Sequence, residues 1–248
     1  MEQKKKSHLR MKCVVVCMFL LSTPGLVMAS GYDFFTKDIV EPYGLYKKSL
    51  ALTSKKSNQE KAVEIVQKFI TSWDMLANKY AGDVPDKLSQ TIDFDKKIKR
   101  PVAVGKEALA MLKAGEVKKA HSHLEEVRYS LWRMRVDAGI ISLNDKINDF
   151  HEAMEIVLDG ITEDSSTEHL QHLAHRYGDW LGIKWADVGN ANESLSDKDA
   201  FAMVIKDGQN AIIELIAILK NGDAAQAKKA GGMVKKNYKN IFFLPECS

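Results

Sequence analysis

Cysteine, proline and long apolar runs are all scarce in this chain of 248 residues. Two of its three cysteines, Cys13 and Cys17, lie within the first 29 residues, which leaves Cys247 alone near the other end. One thiol closes no internal disulfide, so the fold has to stand on packing. With 5 prolines and 15 glycines the chain is neither collagen-like nor low-complexity, and 45% hydrophobic residues exclude a disordered one. An excess of one charge is missing too. The formal charge is +3, but residues 1–29 hold five basic side chains against one acid, and the remainder carries 31 basic and 32 acidic residues. That balance removes the electrostatic footprint of a nucleic-acid binder. Nothing after residue 30 alternates with period two, so no sheet is expected. Catalytic signatures are lacking as well: there is no Gly-x-Ser-x-Gly, no phosphate-cradling glycine loop, no His-Glu-x-x-His and no paired cysteine cluster. The expectation is a protein that is not an enzyme.

What is present begins with an export signal. A basic stretch over residues 1–12 precedes an apolar run from Cys13 to Leu21, and Val27 and Ala29 place small side chains ahead of a cleavage point before Ser30. The run is short of the roughly 20 residues of a membrane span, and no later segment approaches that length. Residues 1–29 therefore read as a signal peptide, and the expected location is a bacterial periplasm, with no membrane span after cleavage.

Helical spacing dominates the rest. Ser57, Asn58, Gln59 and Glu60 form a capping box ahead of Val63, Val66, Ile70, Trp73 and Ala77, and Ser142 caps a helix bearing Ile147, Phe150, Met154 and Val157. Pro101 should kink or split the segment 86–114. An internal duplication organises the pattern: residues 74–81 line up with 179–186 at an offset of 105, and 109–116 with 216–223 at an offset of 107. The expected fold is all-α, with two tandem antiparallel four-helix-bundle repeats over 38–137 and 145–243. The first would hold helices near 38–54, 57–81, 86–114 and 116–137; the second, near 145–161, 165–187, 197–220 and 223–243. Short connections favour antiparallel neighbours.

The helix endings at Ala114-Gly115 and Asn221-Gly222, within 108–127 and 217–234, together with 238–242, resemble exported four-helix-bundle proteins of the cytochrome b562 and c′ type. Segments 120–128 and 150–154 also resemble exported helical proteins without a characterised activity, which implies none here. The b562 likeness raises haem, but no Cys-x-x-Cys-His occurs. The remaining axial pair, His151 with Met233, sits at different depths along its helices, so haem is disfavoured.

Histidines and acids supply the candidate site. Segment 145–199 carries 13 acids against 4 bases and holds His151, His169, His172 and His175. Imidazoles in a carboxylate field suit a divalent transition metal. His172 and His175 point away from the apolar stripe of their helix, whereas His169 lies at its edge. His151 sits at a core boundary with Glu155 one turn on, and His123 is placed similarly, which is the geometry of metal sites in bundles. The expected metal ligands are His151, Glu155, His123 and His169. The Glu-x-x-His signature of di-iron bundles is absent. Arg128 and Arg135 lie closer to the core than long cations usually do; they would either dock the repeats onto acids such as Asp149 or Glu152, or hold an anion or carboxylate ligand between the halves. Lys228, Lys229, Lys235, Lys236 and Lys239 make the last helix basic. The functional expectation is an exported binding protein holding a transition metal in its second repeat. The alternative is an interaction or assembly module of the cell envelope, with a protein partner and no small ligand.

Overall fold

A computed structural model describes residues 31–54, 59–191 and 198–244. The expected signal peptide, Ser57 and Asn58 of the expected capping box, and Cys247 lie outside the described residues. Every regular element among those described is helical: α1 Gly31–Asp38, α2 Val40–Thr53, α3 Gln59–Tyr80, α4 Phe94–Lys113, α5 Val117–Leu124, α6 Glu126–Asp137, α7 Leu143–Asp159, α8 Thr167–Gly189, α9 Lys198–Asn221 and α10 Ala224–Phe242.

Local chemistry sets these limits. Ser142 and Asp145 cap α7 reciprocally, each side chain bonding the other's backbone N–H. Ser166 accepts from His169 N to open α8, and Asp223 accepts from Gln226 N to open α10. Gly115 (φ +80°) and Gly222 (φ +77°) end α4 and α9 in the left-handed region that a side chain disfavours. At Gly115 the Glu116 amide reaches back to Met111 O at 2.9 Å, closing the turn that aims α5 against α4.

Two expected boundaries are corrected and one helix is added. The added helix is α1, which precedes the expected helix 38–54, present as α2, and is separated from it at Ile39. Segment 86–114 is interrupted well ahead of Pro101: a 3-10 turn spans Asp86–Leu88, and Asp93, at φ +54°, forces the chain out of helix before α4 starts. Pro101 lies inside α4, where its ring is buried in the core and the packing offsets the lost N–H. The expected helix 116–137 is two, α5 and α6, which meet at Glu125; its dihedrals stay helical and its N–H still reaches His121 O at 3.3 Å.

Helices follow one another as neighbours. α2 packs on α3, α3 on α4 and α4 on α5, and α5 returns to α2; α7 packs on α8, α8 on α9 and α9 on α10, and α10 returns to α7. In the first set Trp73 Nε1 donates to Ile98 O at 2.9 Å, and in the second Trp185 Nε1 donates to Ile205 O at 2.8 Å. Phe150 meets Trp185 edge-on at 4.6 Å, an aromatic contact that contributes about 1 kcal/mol beyond its area. Buried apolar side chains from both sets join in one core, running from Phe35 through Trp73, Leu112 and Leu131 to Phe150, Trp185 and Ile241.

Candidate functional site

Where α6 and α10 meet, a guanidinium is taken out of water. Arg128 is 2% exposed, and its Nη1 donates to Tyr238 Oη at 3.0 Å. Nη2 lies 2.8 Å from Glu125 Oε1 without the alignment of a hydrogen bond, and Nε has no hydrogen-bond partner. Tyr46, fully buried on α2, also leaves its Oη without a partner. Burial is the main force raising its phenol pKa, and the nearby Arg128 charge works against the rise.

Helix periodicity assembles this cluster. His121, Glu125 and Arg128 recur at i, i+4 and i+7, so the α5–α6 joint presents them on one face. His121 Nδ1 hydrogen-bonds Thr53 Oγ1 of α2 at 2.9 Å, and its Nε2 is 3.8 Å from Glu125 Oε1. From the opposite side, α7 contributes His151 and Glu155, with His151 Nε2 3.4 Å from Glu155 Oε1. Lys235 of α10 donates to that carboxylate at 2.8 Å, and the His151 ring lies 4.7 Å from that of Tyr238. Lys47, buried on α2, holds its ammonium 5.2 Å from the Phe242 ring centre.

Between these groups is a cavity of about 620 Å³. Arg128, His121, His151, Lys235 and Lys239 form its basic side, with Glu125 as a carboxylate edge, and Leu50, Val204, Phe242, Phe243 and Leu244 form an apolar wall. Its size is that of a small-molecule site. Burial drives the His151 pKa down to about 2, and the charges of Arg128 and Lys235 and the presence of His121 push it the same way. Burial also lowers His121, with Glu125 opposing. His151 is thus neutral at ordinary pH with one N–H to donate, whereas the His121 Nδ1–H is engaged with Thr53 Oγ1, whose own proton goes to Ser49 O. The electrostatic character of the cavity is positive.

The four expected metal ligands fall into three neighbourhoods. His151 and Glu155 are together at this cavity. His123 is half-buried away from this cavity, with Nε2 2.6 Å from Glu107 Oε2 and Nδ1 2.8 Å from Glu126 Oε1, and Arg100 pairs with both carboxylates. His169 is exposed in the first turn of α8 and its Nε2 meets Gly160 O at 2.9 Å. His172 and His175 are exposed, as their place on the helix predicts. Among the described residues no group of three or more His, Cys, Asp and Glu side chains could hold a metal ion. Met233, the other half of the haem pair, is 46% exposed.

Arg135 docks on an acid of the 145–199 segment, but on Asp145: Nε reaches both carboxylate oxygens at 3.0 and 2.9 Å. Asp149 instead pairs with Lys184. Sequence reasoning missed Tyr46, His121 and Glu125 as site residues. The i, i+4, i+7 row of polar groups at 121, 125 and 128 was the available signal. A second groove of about 720 Å³ runs along α2 and α3, but there Lys79 is paired with Asp38 and Lys68 with Glu64. No described helix is long and apolar enough to cross a membrane. No family model matches the chain, and comparisons with curated proteins and with solved structures give no match either.

Proposed function

We propose that this chain is an exported, periplasmic binding protein, built from two tandem four-helix-bundle repeats, that holds a small organic anion in the cavity between them. The observation that carries the reading is Arg128, a buried guanidinium beside that cavity whose Nε–Nη2 edge makes no hydrogen bond, although Glu125 Oε1 stands 2.8 Å from Nη2 as an ion-pair partner. Buried polar groups without partners are rare, and a buried charge is costly to keep unless it serves something. Arginine is also the residue best shaped for carboxylate recognition.

The duplication draws support from the matching neighbour orders of α2–α5 and α7–α10. The carbonyls that accept the two Trp bonds, Ile98 and Ile205, are 107 residues apart, an offset found in the sequence, although the donors Trp73 and Trp185 are 112 apart and do not correspond in the repeat.

An anion fits the cavity better than a divalent metal. Glu155 is already neutralised by Lys235, and His151 sits in a field made positive by Arg128 and Lys235, which repels a cation. Native mass spectrometry and elemental analysis of tag-free protein from its own envelope test the reading. The expected result is an organic mass released on denaturation, without stoichiometric metal. Stoichiometric copper, zinc or nickel lost in His151→Ala but retained in His175→Ala would replace the anion by a metal. Protein recovered with neither, and co-purifying with an envelope partner, would favour the assembly module.

A further inference from the structure

Resting on the cleft-binding reading, we infer that the ligand is a monocarboxylate with an apolar body, and that the Glu125 carboxylate holds its place on Arg128 until it binds. Nε and Nη2 form one edge of a guanidinium, the edge on which a carboxylate is held by two parallel hydrogen bonds. In Arg128 this edge makes no hydrogen bond, and both atoms are shielded from solvent. What lies against it is Glu125 Oε1, 2.8 Å from Nη2 and misaligned. Glu125 thus supplies charge without geometry. Its side chain is 33% exposed and stands where α5 and α6 meet, so it can turn outward without breaking a helix. A carboxylate arriving from the cavity then gains both hydrogen bonds, and Glu125 regains its hydration.

The single guanidinium edge favours a monoanion. A phosphate brings more charge and more acceptor oxygens than this edge satisfies. Neutral His151 adds a hydrogen-bond donor without adding charge. Leu50, Val204, Phe242, Phe243 and Leu244 also line the cavity and offer an apolar body a place to leave water. Head and tail are therefore specified by different residues of one cavity. Arg128 also costs the fold something: replacing a buried ion pair by an apolar side chain of similar size is commonly neutral or stabilising.

Titration calorimetry and thermal melting of the mature chain decide the matter, with dodecanoate below its micellar range, dodecanol, acetate and inorganic phosphate as probes. Dodecanoate is expected to bind and raise Tm, and the other three to bind at least tenfold more weakly. Arg128→Met should weaken dodecanoate at least tenfold while keeping or raising the Tm of the unliganded protein, and Glu125→Gln should tighten it. A structural role for Arg128 would give the opposite Tm change. Dodecanol binding as well as dodecanoate, or dodecanoate affinity unchanged in Arg128→Met, overturns the carboxylate head. Acetate or phosphate binding as tightly as dodecanoate overturns the apolar body but leaves an anion in the cleft. No response to any probe overturns the inference, and the organic mass carried by native protein then judges the cleft reading separately.

Discussion

Asp145 is shared by two structures at once: its carboxylate accepts from Ser142 N at 2.8 Å and from Ser142 Oγ at 2.7 Å, and it receives the Arg135 guanidinium, with Nη2 at 2.5 Å from Oδ1. One side chain therefore starts α7 and ties it to the end of α6. Both partners are largely buried, and removing one side of such a pair leaves a charge uncompensated. Asp145→Ala is expected to lower stability by about 3 kcal/mol or more, whereas Ser142→Ala removes a cap and costs about 1 kcal/mol. Urea denaturation of both variants checks this. Equal losses would mean that Arg135 contributes nothing to the junction.

Acid sensitivity follows from one buried imidazole, His151, and one half-buried, His121. His151 is depressed to about 2, first by burial and then by Arg128, Lys235 and His121, while Glu155 faces it from its own helix. In the unfolded chain a histidine titrates near 6.5. Above that pH both states are neutral and the contribution to stability is complete. Below it the unfolded state takes up a proton that the folded state refuses, so stability is lost as pH falls from about 6.5 toward 2. The slope approaches 1.4 kcal/mol per pH unit for His151, and His121 adds to it in the same direction. Measured between pH 7 and 4, the stability of His151→Gln should fall less steeply than wild type. Parallel profiles would show that the imidazole is not held neutral.

Gly208 records a close approach. A Cβ there would meet Trp185 Cζ2 at 2.1 Å, and the indole cannot retreat without giving up its bond to Ile205 O. Gly208→Ala should cost about 2 kcal/mol through overpacking, and the Trp fluorescence maximum should shift to the red. At Gly232, where nothing lies within 4 Å, alanine should be neutral or slightly stabilising.

Some of this was legible in the residues and some was not. Val66, Ile70, Trp73 and Ala77 repeat at helical spacing, and α3 buries Val66, Ile70, Trp73 and Ala77. Ser142 announced α7 because a cap and its N3 acid are local chemistry. Pro101 misled, since a proline's cost in a helix is set against packing, and packing depends on helices distant in sequence. His151 is readable from its own helix as a core-boundary residue, and the structure takes it further in, to a buried position. Its neighbours Arg128, His121 and Lys235 come from α6, α5 and α10, and no periodicity within one helix predicts such a meeting. His123 shows the same limit: its boundary position was readable, but its partner Glu107 belongs to α4.

The proposed export makes a separate prediction. Osmotic shock of the native organism should release a protein that begins at or near Ser30. Recovery of an intact N-terminus in the membrane fraction would instead establish an anchored chain.

The helices pack chiefly within their own set, and buried apolar side chains along the seam join the two interiors into one continuous core. Melting should then be a single cooperative event, with calorimetric and van't Hoff enthalpies in agreement and no plateau for a half-folded species. A molecule bound at the seam would delay unfolding of the entire protein, since its binding energy is linked to the one transition available. Cutting the chain between α6 and α7 would strand apolar surface on both fragments, and each should aggregate alone yet be rescued by the other.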